Sequence, residues 1–270
     1  NLQNLQGHLG IGHTRYSTTG SNVQYNAQPL CCTSVYGKIA VAHNGNLVNT
    51  KELREQLGEE GVSFESTNDS EVIALLLSKH YGTELESAVK TVMPMLQGAF
   101  SLAIMNENKV IGIRDSHGIR PLCIGKTPAG HYVIASETCA LNVMGAEFIR
   151  EIEPGEMVIL DKDGIRSEQV LPFKRHAMCL FEFIYFARPD SQIYGKTLYF
   201  VRKEMGRQLA RECPADADIV IPIPDSATPA ALGYAEESGI PFAEGVIKNR
   251  YIQRTFIEPN EQLRHLGARM

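Results

Sequence analysis

The sequence contains no apolar run approaching the roughly 20 residues a helix needs to cross a bilayer, and it opens on no secretory signal, so no membrane partner is expected. It has no basic field either. Against 26 Lys and Arg stand 31 Asp and Glu, a net charge of −5, which excludes the electrostatic footprint of a nucleic-acid binder. Its six cysteines (Cys31, Cys32, Cys123, Cys139, Cys179, Cys213) include no CxxC pair, which argues against a zinc site and against a secreted disulfide framework. That usage fits a reducing, cytoplasmic setting. Internal repeats and low-complexity tracts are missing as well. What is there is a 270-residue chain, 43% apolar and 21% charged, long enough for one large domain or two ordinary ones with a sizeable core. It begins at Asn1 in mid-flow and ends at Met270 just after a basic segment, which suggests a fragment.

Periodicity orders the elements. GHLGIGHTRYST reads as a short strand entering a polar loop, residues 36–43 as a strand and NTKELREQLGEEG as a helix. In STNDSEVIALLLSKHYG, Asn68 followed by Glu71 fits a capping box, and Val72, Leu75, Leu76 and Lys79 recur at helical spacing. A second helix is expected at 87–97. GAFSLAIMNENKVIGIRDSHGIRPLCIG then gives strand, turn, strand, loop, strand, with further strands at 131–136 and 156–160. Helices followed by antiparallel-looking strands imply sheets covered by helices. The character changes near Pro172. LYFVRKEMGRQLAREC predicts a helix, DIVIPIP a strand and TPAALGYAEESG a helix, the opening of a parallel α/β sheet. The domains are accordingly 1–172 and 173–270.

Three clusters in the first half carry chemistry. Arg15, in the loop GHTRYSTTG, can offer a planar fork to a carboxylate, or make an ordinary surface ion pair. Asn44-Gly45, closing the apolar run GKIAVAHNGNL, fits a hairpin turn better when taken alone. It also offers a side-chain amide and a backbone N–H to an oxygen that becomes negative during a reaction. Asp69 in TNDSEV stands where a helix macrodipole favours an acid, or where a carboxylate could hold an ammonium group. A cation, an anion and an oxyanion hole are the parts needed to grip an α-amino acid by its head while its side-chain amide is attacked. Glutamine hydrolysis requires that arrangement, and a nucleophile besides.

These motifs, with RDSHGIRPL, ASETCAL, CLFEFIYFARPDS, VIPIPDSATPAAL and KNRYIQRTFI, occur in the order of the glutamine phosphoribosylpyrophosphate amidotransferase family, which the chain resembles over essentially all its length. The resemblance implies an α+β fold: a four-layer αββα glutaminase sandwich of the N-terminal-nucleophile type, followed by part of an α/β phosphoribosyltransferase domain. It implies that Arg15 binds the glutamine α-carboxylate, Asp69 the α-amino group, and that Asn44 and Gly45 form the oxyanion hole. The family's reaction makes phosphoribosylamine, pyrophosphate and glutamate in the first committed step of purine synthesis. Its nucleophile is an amino-terminal cysteine activated by its own α-amine, and Asn1 cannot fill that role, so the polypeptide as given is expected not to hydrolyse glutamine.

In the second half, Asp225, Ser226 and Thr228 lie between a strand and a helix, where backbone N–H groups and hydroxyls suit a phosphate, or where a hydroxyl simply caps the helix. The resemblance makes this loop, with Lys248 and Arg250, part of a phosphoribosyl pyrophosphate site, and puts Ser226 at the position associated with Mg²⁺. The family commonly has glycine where this chain has Gln253. Cys179 is either buried packing or, as in the family's iron–sulfur branch, one ligand of a [4Fe–4S] cluster. Purine nucleotides as feedback inhibitors and a homo-oligomer are also implied. The alternatives are another class II glutamine amidotransferase, which the last two motifs disfavour, and a non-catalytic regulatory binder of glutamine and phosphoribosyl groups, which the missing nucleophile would suit.

Overall fold

A computed structural model of the protein describes residues 7–15, 23–249 and 261–269, and the chain divides into two units, Asn1–Cys179 and Leu180–Met270. The first unit runs β1 (Leu30–Ser34), β2 (Gly37–Leu47), α1 (Thr50–Glu59), α2 (Asp69–His80), α3 (Leu85–Val92), β3 (Gly98–Met105), β4 (Val110–Arg114), β5 (Cys123–Lys126), β6 (Tyr132–Ala135), α4 (Thr138–Val143), β7 (Glu147–Glu151), β8 (Glu156–Asp161) and β9 (Gly164–Gln169). Two antiparallel sheets result, one ordered β1-β2-β3-β4-β8-β9 and one ordered β6-β5-β7.

Alternation along the strands decides which layer each face meets. Ile111 and Ile113 of β4, with Met157 and Ile159 of β8, join the core under α1–α3. Val110, Val158 and Leu160 turn the other way and meet Leu122, Ile124 and Ile152 of the smaller sheet. Gly112 lets the two sheets approach, since a Cβ there would lie 2.7 Å from Ile134 Cδ1. On the far side of the smaller sheet, Cys123 packs with Leu141 of α4. Helices, sheet, sheet and helix make the four αββα layers expected of this half.

Local signals explain most helices but not their details. The Asn68 side chain accepts from the Glu71 N–H at 3.1 Å, which caps α2. The reciprocal half of the capping box is not made. Glu71 instead takes the N–H groups of Glu65 (2.6 Å) and Ser66 (3.0 Å) and the Arg54 guanidinium (3.2 Å), fastening the loop ahead of the helix. Among the described residues 7–15 the expected short strand is not formed. Leu9 and Ile11 spend their apolar side chains on the intersheet core instead of joining a ladder. Beyond β9 the backbone N–H groups of Lys174, Ala177 and Cys179 donate to the carbonyls of Ser116, His117 and Ile119 at 3.1, 2.9 and 3.0 Å, which keeps this segment with the first unit.

The second unit opens with one wide helical turn, Glu182–Phe186, whose carbonyls accept from the buried Arg202 guanidinium. A short hairpin follows, β10 (Gln192–Ile193) and β11 (Lys196–Thr197), then α5 (Leu198–Glu212), α6 (Thr228–Ser238) and α7 (Glu261–Arg269). The two longer helices cross at glycines. A Cβ on Gly206 would lie 1.8 Å from the Ala230 carbonyl oxygen, and one on Gly233 1.8 Å from that of Lys203. The strand expected over DIVIPIP is reduced to a single parallel bridge, Val220 to Phe242, because one bridge partner is all that the described residues give it. The bridge still gives the strand–helix–strand order of an α/β unit. No helix among the described residues is long and apolar enough to cross a membrane.

Candidate functional site

At Asn44-Gly45 the chain does not turn. β2 continues through both residues to Leu47, with Asn44 opposite Ser101, Gly45 opposite Phe100 and Leu47 opposite Gly98 of β3. The hairpin reading is overturned, and glycine at 45 has a cross-strand cause. A Cβ there would lie 2.0 Å from the Ala99 carbonyl oxygen and 2.7 Å from His43 Nε2. Successive residues of an antiparallel strand point their N–H groups alternately to its two sides. Val48 N–H donates to the Gln97 carbonyl at 2.8 Å, so even-numbered positions face β3. The N–H groups of His43, Gly45 and Leu47 therefore face the other side, past the end of the β1 ladder at Leu30 and Val41.

Two of those three donors are taken. Gln28 Oε1 accepts from His43 N–H at 2.7 Å, and Asp69 Oδ2 accepts from Leu47 N–H at 2.9 Å. The Gly45 N–H between them has no partner among the described residues, and neither has the side-chain amide of Asn44. Both residues are half-buried, so two adjacent donors remain open to an incoming acceptor. An anionic oxygen is the acceptor such donors suit.

Asp69 is brought to the same strand by the first turn of α2, and it is 5% exposed. Burial pushes its carboxyl upward, but the His43 side chain and the Leu47 N–H outweigh burial and hold it below the usual aspartate value. His43 Nδ1 lies 3.7 Å from Asp69 Oδ1 and 3.2 Å from Ser70 Oγ. Burial, then the neighbouring His43 and Arg15, hold His13 below the usual histidine value. Arg15, half-buried, is thus within electrostatic reach of His13. Of the sequence-derived residues, Asp69 and the 44–45 pair share His43 as a direct neighbour. His43, Ser70 and Gln28 were not singled out by the sequence, whose only signal for them was a histidine ahead of Asn-Gly.

RDSHGIRPL braces this arrangement from behind. Arg114, fully buried, donates to the carbonyls of Gly118, Arg120 and Ile152 at 2.7, 3.0 and 2.6 Å. Asp115 accepts from the N–H groups of Phe100 (3.1 Å), His117 (2.9 Å) and Ile119 (3.2 Å), and its own N–H donates to the Phe100 carbonyl at 2.9 Å. Phe100 is the residue opposite Gly45, so this carboxylate fixes the strand that backs the free N–H.

A family model described as a glutamine amidotransferase domain matches residues 13–143, the stretch that holds every group just described except Arg114's distant acceptor Ile152. Just under half of the chain thus matches a glutamine amidotransferase domain. Sequence relatives extend the match through both units. The chain is 47% identical over its whole length to the amidophosphoribosyltransferase of Synechococcus elongatus, covering 56% of that protein, and 47% identical to that of Methanocaldococcus jannaschii, covering 60%. Among solved structures, glutamine phosphoribosylpyrophosphate amidotransferase from B. subtilis, complexed with ADP and GMP, shares 45% identity at a TM-score of 0.85 over 96% of this chain and 56% of its own. A structure described as the allosteric regulatory enzyme of purine biosynthesis shares 45% identity at a TM-score of 0.86. The chain spans about half the length of the curated relatives it matches.

The residues singled out beyond the amidotransferase domain lie in the second unit, apart from Cys179. Asp225 Oδ2 pairs with Lys248 Nζ at 3.1 Å on an exposed face. Ser226 and Thr228 are half-buried, and neither hydroxyl has a partner among the described residues. Helix capping does not explain them, because the residue at the N-cap of α6 is Ala227. Arg250 lies outside the described residues. For magnesium, one unpartnered hydroxyl fits a share of a shell otherwise made of water and substrate oxygens. Among the described residues no three His, Cys, Asp or Glu side chains group to hold a metal, and all six cysteines are free. Cys179, half-buried, is one thiol of the four that such a cluster takes.

Proposed function

We propose that the chain is the glutamine-hydrolysing unit, and the start of the acceptor unit, of an amidophosphoribosyltransferase. The observation that carries this reading is the pair of unsatisfied donors, Asn44 amide and Gly45 N–H, on a strand that also holds the buried acid Asp69. Arg15 pairs with the α-carboxylate of glutamine and Asp69 with its ammonium, which orients the side-chain amide towards the donors. A thiolate from the amino terminus of the complete protein attacks the amide carbon. Negative charge develops on the amide oxygen, where each donor is worth about 3 kcal/mol of barrier in comparable sites. The C–N bond breaks, ammonia leaves with the added proton, and water hydrolyses the thioester to glutamate.

The second unit receives the ammonia. Ser226, Thr228, Asp225 and Lys248 form one side of a phosphoribosyl pyrophosphate site, to which the family resemblance also assigns Arg250. Ammonia attacks C1 of the ribose as its bond to pyrophosphate breaks. Magnesium, when bound, neutralises the pyrophosphate, and the Ser226 hydroxyl would supply one of its oxygens. The B. subtilis relative's complex with ADP and GMP supports purine nucleotides as regulators of this chain as well. The test uses protein expressed from the complete gene, given amide-labelled glutamine and phosphoribosyl pyrophosphate. Glutamate and pyrophosphate are expected in equal amounts. Glutamate without pyrophosphate indicates another class II amidotransferase, and neither product indicates a binding protein.

A further inference from the structure

One imidazole touches both ends of the proposed glutamine site. His43 is 4% exposed on β2, and its two ring nitrogens face different groups. Nδ1 lies 3.2 Å from Ser70 Oγ and 3.7 Å from Asp69 Oδ1. Nε2 lies 3.4 Å from the Ala99 carbonyl oxygen, and a Cβ added at Gly45 would meet it at 2.7 Å. Gln28 clamps the residue, accepting its N–H at 2.7 Å and donating to Ser70 Oγ at 2.9 Å. A buried histidine held by its neighbours has few rotamers to choose from, so the spacing between Asp69 and the Gly45 peptide is set through one rigid ring.

We infer that His43 is a positioning residue for glutamine hydrolysis. Its Nδ1 edge holds Asp69 where the substrate ammonium is gripped, and its Nε2 edge sets the gap between Gly45 and Ala99 and so the aim of the Gly45 N–H. The inference rests on the glutaminase reading of the first unit. It separates two kinetic quantities. Loss of the Nδ1 contact weakens the grip on the head group in ground and transition states alike and raises KM. Loss of the Nε2 contact misaims a donor used only in the transition state and lowers kcat.

Two variants divide the ring. His43→Asn keeps an amide nitrogen near the place of Nδ1, and is expected to leave KM within about threefold while lowering kcat about tenfold or more. His43→Gln carries its amide to the place of Nε2, and is expected to raise KM about tenfold with a smaller change in kcat. Ser70→Ala deletes one oxygen from the buried first turn of α2 and leaves the packing intact, so it remains informative if the histidine variants do not fold. It is expected to raise KM about threefold. All three are measured as glutaminase activity of the protein from the complete gene. Equal changes in KM and kcat for both histidine variants, or wild-type constants in Ser70→Ala, overturn the inference. Wild-type protein without glutaminase activity overturns the underlying reading instead.

Discussion

Asp115→Asn tests whether the loop 115–120 holds the strand opposite Gly45. The carboxylate is 2% exposed and takes three backbone N–H groups, those of Phe100 and Ile119 on Oδ2 and that of His117 on Oδ1. An amide has one acceptor oxygen. If that oxygen stands in for Oδ2, the amide nitrogen faces the His117 donor, one buried N–H loses its partner, and the two remaining bonds lose their charge assistance. An unsatisfied buried donor costs about 1–3 kcal/mol and each weakened bond about 0.5–1, so the substitution is expected to cost about 2–5 kcal/mol. Native-state hydrogen exchange of β3 reads this directly. At a factor of ten per 1.4 kcal/mol, protection of Phe100 and its neighbours should fall about 30- to 4000-fold. Protection within about threefold of wild type refutes the claim that Asp115 fixes β3.

Gly206→Ala places a methyl carbon 1.8 Å from the Ala230 carbonyl oxygen, so α5 and α6 must separate. A loss of about 1–3 kcal/mol or more is expected, read as a lower denaturant midpoint of the helical signal. Asp69 titrates below its ordinary value in the folded protein, so its ionised form adds stability that is fully present above the unfolded pKa of about 3.9 and is lost as pH falls through the folded value. Wild type should therefore exceed Asp69→Asn in stability near neutrality, and the difference should shrink steadily below about pH 4 in denaturation series run across pH.

How much was legible beforehand depended on how local the deciding contact was. The α2 cap was readable because Asn68 and Glu71 are three residues apart and one hydrogen bond joins them. Asn44-Gly45 misled because the partner that demands glycine is Ala99, on another strand, and a β-ladder overrides what the dipeptide prefers alone. The same distance hid His43, whose ring contacts come from Ser70, Asp69 and Ala99. DIVIPIP has the pattern of a buried strand, yet Ile219, Ile221 and Ile223 are 50%, 45% and 69% exposed, since a strand's state is fixed by neighbours that its own letters do not name. Arg15, Asp69 and the 44–45 donors were nameable as parts because their chemistry, more than their packing, marks them.

The central claim is that Asn44 and Gly45 donate to an oxygen that turns negative only while glutamine is being cleaved. Asn44→Ala in the protein from the complete gene, assayed for glutamine hydrolysis with ammonia-driven transfer measured alongside, tests this most directly. The expected result is a fall in glutaminase kcat of about 10²- to 10³-fold with KM little changed and the ammonia-driven reaction preserved. A glutaminase kcat equal to that of wild type would contradict it.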